Sequence, residues 1–153
     1  MLESSYSAES MADDEDREAA LRRAGARWLE WLNDELARRG SAPRAQLLGL
    51  WDALEEWFAS EDFRGSFLAA AAAELTEPGH GGGSPVLTEL QQAVRQLLED
   101  LAKAVGASDP DTLAGQLRVL VEGAAACALI DRQPAAAQIA KELTQLALEA
   151  QSA

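Results

Sequence analysis

Apolar residues recur at intervals of three and four along most of the chain, with turn residues between the runs. Leu21, Gly25, Trp28, Leu29, Leu32 and Leu36 share one face at that spacing, which marks an amphipathic helix rather than a half-buried strand. A first helix is expected over 13–39, stopped by Gly40. Pro43 suits a first helical position and opens a second helix, with Leu47, Leu50, Trp51, Leu54, Trp57 and Phe58 on a broad apolar face that ends near Ser60. A short third helix is expected over 62–75, with Phe63, Phe67, Leu68, Ala71 and Leu75 inward. The stretch TEPGHGGGSPV then breaks the pattern, because its glycines and prolines cannot continue a helix.

After that break Ser84 caps and Pro85 starts a fourth helix, whose stripe of Leu87, Leu90, Val94, Leu97, Leu98, Leu101 and Val105 ends at Gly106. Asp109 and Pro110 open a fifth helix that runs to about Asp131. Gln133 and Pro134 open the sixth, with Ile139, Leu143 and Leu146 on one side. No segment combines strict alternation with β-branched enrichment. The fold class is therefore all-α, a six-helix bundle.

Composition narrows the function. A chain of 153 residues, 48% of them hydrophobic, is one domain's worth and buries roughly two thirds of its unfolded surface. Thirteen basic against 26 acidic residues give a net charge of −13, which repels phosphate backbones and anionic lipid. Direct DNA or membrane binding is disfavoured. Residues 1–12 are rich in serine and acid and are expected to form a disordered tail ahead of a domain over 13–151. Apolar stretches fall short of the roughly 20 residues of a membrane span, and the N-terminus lacks the basic and apolar parts of a signal peptide. A single cysteine, Cys127, leaves no internal disulfide and fits a reducing compartment. A cytoplasmic protein is the expectation.

The candidate chemistry is sparse. His80, in EPGH, has the spacing of a di-metal carboxylate motif, but Pro78 and Gly79 deny it a helix and no second histidine exists. Cys127 lies in GAAACAL, where a thiol is usually a small hydrophobe, and nothing pairs it with a base. The glycines of GHGGGS follow no strand, so they read as a connection rather than a phosphate cradle. No metal, cofactor or enzymatic activity is expected. Bulk and smallness are instead distributed unevenly. All four tryptophans (28, 31, 51 and 57) sit on the first two helices, with Trp31 off the main stripe, whereas the fifth helix carries Gly115 and the run 123–128 of Gly, Ala and Cys. The five alanines 69–73 of the third helix cover little and mark a close approach of another helix or of a ligand.

The succession RWLEWLNDEL, LLGLWDALEEWFASEDFRGSFLAAAAAEL, VRQLLEDLAKAVGASDPDTLAGQLRVLVEGAAACALID and QPAAAQIAKELTQLALEA resembles the C-terminal regulatory domain of TetR/AcrR-type transcriptional repressors over about residues 13–151. Its most recognisable pieces are the turn EEWFASEDFRGSFL and the stretch DPDTLAGQLRVLVEGAAACALID. Family members carry a helix-turn-helix ahead of this region, and only the short acidic tail precedes it here. The resemblance thus implies a sensing and dimerising half without its DNA reader.

Carried onto these residues, the resemblance implies an apolar effector cavity lined by Trp28, Leu32, Trp51, Leu54, Phe58, Phe67, Ala71, Leu90, Val94, Leu117 and Val121. It also implies a homodimer through the last two helices, by way of Leu113, Leu120, Gly123, Ala124, Cys127, Ile139, Leu143 and Leu146. Ala71 and its neighbours would leave room in the cavity or bring the third helix close to the fifth. The expected partners are a second copy, or a full-length TetR-type repressor in a heterodimer, and a small apolar ligand. A structural or adaptor bundle that dimerises without a ligand is the alternative.

Overall fold

The computed structural model describes residues 2–75 and 84–152, with side chains over 15–73 and 84–152. The described residues form six helices and no strand: α1 (Leu2–Arg38), α2 (Pro43–Phe58), α3 (Phe67–Leu75), α4 (Pro85–Ala104), α5 (Pro110–Asp131) and α6 (Ala136–Gln151). The all-α expectation holds. Leu75 as an inward side chain, His80 and the glycine run around it lie outside the described side chains. The backbone of α1 is helical from Leu2, through the segment read from composition as a tail.

The helix starts follow from local chemistry. Ser84 Oγ accepts from the Leu87 amide ahead of Pro85, and Asp109 Oδ1 accepts from the Thr112 amide at 3.1 Å ahead of Pro110. Each satisfies an amide that the first helical turn leaves without a partner. The third helix departs from expectation, beginning at Phe67 rather than near Asp62. Gly65 sits at φ +98°, a left-handed conformation that breaks a right-handed helix and that glycine adopts without strain. Arg64 Nη1 closes this turn by donating to the carbonyls of Glu61 (2.6 Å) and Phe63 (2.9 Å). Ser66 then caps α3, its Oγ accepting from the Ala69 amide at 3.2 Å.

The stripes expected on α1, α2 and α4 supply much of the core, whereas α6 turns Ala136, Ala137, Ala140, Thr144 and Leu148 inward and leaves its expected apolar side exposed. Leu32, Leu47, Leu50, Trp51, Leu54, Val86, Leu113 and Leu117 are fully buried, together with Thr144, whose hydroxyl donates to the Ala140 carbonyl at 2.8 Å. Helix α5 packs most extensively on α4 and α6, α6 also packs on α2, and α1 packs on α2 and α4. Helix α3 packs chiefly on α4. Within the alanine run Ala71 is buried and Ala69, Ala70 and Ala73 are exposed.

Helix α5 is apolar almost all round. By length and composition it is long enough to cross a membrane, with a mean hydropathy of 1.5 over its most apolar window, which corrects the expectation that no stretch approaches that length. One face of it lies in the core and the other is exposed, so a single apolar helix serves two surfaces.

A polar clamp fixes α6 on α2. Lys141 Nζ donates to both Asp52 carboxylate oxygens at 3.0 Å, and Gln138 Nε2 donates to Asp52 Oδ1 at 3.1 Å and to Glu55. Desolvation raises the Asp52 pKa, but the hydrogen bonds from Gln138 and Lys141 and the lysine charge outweigh it and hold the carboxyl below its ordinary 3.8. A depressed folded pKa contributes stability that is complete above the unfolded value and is lost as pH falls through the folded one. Lys141→Met is therefore expected to lower stability by about 0.5 kcal/mol at neutral pH, the pair being partly exposed. That difference should shrink between pH 5 and pH 3, as read by urea denaturation of both proteins.

Candidate functional site

The turn between α2 and α3 is held by aromatic rings. Trp57 is their hub, with centroids 5.6 Å from Trp28, 6.4 Å from Trp31, 5.7 Å from Phe58 and 4.9 Å from Phe63. The Trp57–Phe63 pair is edge-to-face, an arrangement in which the positive ring edge meets a negative face. Trp31, off the main stripe, thus meets another helix.

Beside this cluster, α1, α3, α4 and α5 enclose a small apolar pocket, with Trp57 contributed by α2. Five of the expected lining residues come together there: Trp28, Phe67, Leu90, Val94 and Val121. The other six do not. Leu32, Trp51, Leu54, Phe58, Ala71 and Leu117 are packed into the core and do not line this pocket, which borders Phe67 and not Trp51. Gly25, Leu29, Ser66, Leu68, Glu122 and Ala125 complete the lining.

Gly25 was the available signal, a glycine in the middle of an apolar helical stripe. A Cβ built there would stand 2.2 Å from Leu90 Cδ2 and 3.2 Å from Phe67 Cε1. The glycine lets α4 and the Phe67 ring close onto α1. Arg22 braces the same junction, its Nε and Nη2 donating to Glu89 Oε2 and Oε1 at 2.9 and 3.1 Å.

The free space in the pocket is about 20 Å³, room for about one water. An open cavity of effector size, roughly 300 Å³ or more, is not present in this conformation. The lining holds no Arg or Lys, and its one ionisable residue, Glu122, lies 3.4 Å from Arg118 on the same helix. Trp28 Nε1 is buried without a hydrogen-bond partner, as is Trp51 Nε1 in the core. Across α4 and α5 a shallower polar groove of about 460 Å³ runs past Gln91, Gln92, Arg95 and Arg118; Arg95 is paired there with Glu99 at 2.6 Å.

The second feature is a bare apolar face on α5 and α6. Val119 is 72% exposed and Ile130 77%, while Ile139 and Leu146 are 60% and 59% exposed and Leu143 is 45% exposed. On α5 these residues are joined by Gly115, Gly123 and the exposed Cys127. A Cβ at either glycine would meet nothing within 4 Å. Of the eight residues expected at a dimer contact, Gly123, Cys127, Ile139, Leu143 and Leu146 lie on this face and Leu120 is half-buried. Leu113 and Ala124 are buried in the protomer's own core, so they have little or no area to offer a partner.

Among the described residues, no group of three or more His, Cys, Asp or Glu side chains is placed to hold a metal ion. The site's chemistry is burial and packing.

No protein-family model and no curated protein matches the chain. Solved structures do. A TetR-type transcriptional regulator from Streptomyces avermitilis shares 30% identity and a TM-score of 0.72, covering 91% of this chain and 74% of its own. A TetR-family transcriptional regulator from Streptomyces coelicolor, at 18% identity, shares the fold with a TM-score of 0.70 over 87% of this chain and 71% of its own. At 30% identity across nearly all of these helices, the chain belongs to the TetR family of transcriptional regulators.

Proposed function

We propose that these six helices are the regulatory half of a TetR-type repressor, which dimerises through α5 and α6 and responds to a small apolar effector taken up beside Phe67. The observation that carries the reading is the exposed face of Val119, Ile130, Ile139, Leu143 and Leu146 on two consecutive helices. Large apolar side chains left exposed together on packed neighbouring helices suit a contact with another protein. A second copy supplies a matching face by symmetry. The same face suits the corresponding helices of a full-length repressor, which would give a heterodimer.

Transcriptional control then works through the assembly rather than through contact of this chain with DNA. The net charge of −13 opposes an approach to phosphates. The 153-residue chain is accordingly expected to give no sequence-selective shift of duplex DNA in a low-salt gel, and such a shift with pure protein would refute this part of the reading.

Effector binding is tested by thermal melting against a panel of uncharged hydrophobic compounds, because a ligand that binds only the folded state must raise its stability. A saturable rise in melting temperature is expected. A panel without any effect favours the adaptor bundle that dimerises with a filled core.

A further inference from the structure

Free space of about 20 Å³ admits no organic molecule, so an effector entering here must displace something. Phe67 is the residue best placed to leave. It is half-buried and is the first residue of the nine-residue α3, a helix that packs chiefly on α4 and is preceded by Gly65 at φ +98°. Its Cε1 lies 3.2 Å from the point where a Gly25 Cβ would stand, beside the Leu90 Cδ2 at 2.2 Å, so the ring and the Leu90 methyl share the recess that glycine opens in α1. Trp28 and Trp57, 5.6 Å apart between centroids, also line the pocket. What would replace a phenyl ring among aromatic neighbours is another flat ring.

Two further observations narrow the chemistry. Trp28 lines the pocket, and its indole N–H is buried with no acceptor, a condition that costs free energy until an acceptor arrives. The lining has no cation to hold an acid, and its single carboxylate, Glu122, already has Arg118 beside it at 3.4 Å. On a protein of net charge −13 an anion is doubly disfavoured.

We propose that the pocket takes an uncharged aromatic molecule with one hydrogen-bond acceptor, whose ring replaces that of Phe67 and whose acceptor receives the Trp28 indole N–H. The proposal rests on the reading of this pocket as the effector site. Phe67 acts as the stand-in for the ligand while the site is empty, and its departure moves the start of α3.

The test compares acetophenone, isopropylbenzene and benzoate, which are similar in size and differ in acceptor and charge. Binding is read by calorimetry and by the indole N–H resonances of the ¹⁵N-labelled protein. Acetophenone is expected to bind about fivefold more tightly than isopropylbenzene, the scale of one hydrogen bond, and to shift the Trp28 indole resonance. Benzoate is expected not to bind. In Trp28→Phe the preference for acetophenone should vanish or reverse, because its carbonyl is then buried without a donor, and in Phe67→Ala both should bind several-fold more tightly, since no ring has to be expelled. Equal affinities in the unaltered protein, an unmoved Trp28 resonance, a preference that survives Trp28→Phe, or a Phe67→Ala variant that binds no better would overturn the proposal. If neither neutral compound binds the unaltered protein or Phe67→Ala, the effector-site reading falls with it.

Discussion

Gly123→Trp is expected to yield a folded monomer. In the protomer a Cβ at this exposed position meets nothing within 4 Å, and replacing glycine inside a helix favours the helical backbone. The fold should therefore keep its far-ultraviolet circular dichroism and its helical content. At a helix–helix contact between two copies the same indole has no room, and overpacking at such a seam disrupts close approach. The expected loss is that of the association itself, with the solution mass falling to the 16.3 kDa of one chain. Melting should also lose its dependence on protein concentration, because dissociation is no longer coupled to unfolding. A Gly123→Trp protein that keeps a dimeric mass would place the contact on another surface.

Leu113→Ala has the opposite expected signature. Leu113 is fully buried in the protomer, on the face of α5 that meets the core, and truncating such a leucine removes its buried methyl groups and leaves a cavity. The cost is about 2–5 kcal/mol, depending on how far the neighbours relax. The association should survive, since Leu113 offers no area to a second copy. Equilibrium urea unfolding measures the first effect and solution mass the second. A loss under about 1 kcal/mol, or a monomeric but stable variant, would return Leu113 to the dimer contact.

These two residues also show where the sequence was legible. Helix starts at Pro43, at Ser84 followed by Pro85, and at Asp109 followed by Pro110 could be read directly, because capping and proline geometry are local. Helix α3 was harder. Its late start depends on the left-handed Gly65, and composition alone does not say whether a glycine before an apolar run is helical or a break.

On α5 the apolar residues point in every direction, so periodicity could not separate the core face holding Leu113 from the outer face holding Val119 and Ile130. Glycine and cysteine at 123 and 127 were the better guide, as small residues that leave an approach open.

The pocket was legible in part for a related reason. Helical spacing identifies inward residues, and Trp51, Leu54 and Leu117 are indeed inward. Which inward residues border a void is decided by packing between helices, which no single stripe encodes. Gly25 carried that information, through its close approach to Leu90 and Phe67. The alanine run left open whether a helix or a ligand comes close: α3 packs chiefly on α4, and its one fully buried alanine, Ala71, does not line the pocket.

Dimerisation through α5 and α6 is the claim on which the regulatory reading depends, and sedimentation equilibrium of the unaltered chain tests it most directly. Twice the 16.3 kDa chain mass, constant over the micromolar range, is the expected result. A single species of 16.3 kDa at tens of micromolar would contradict it.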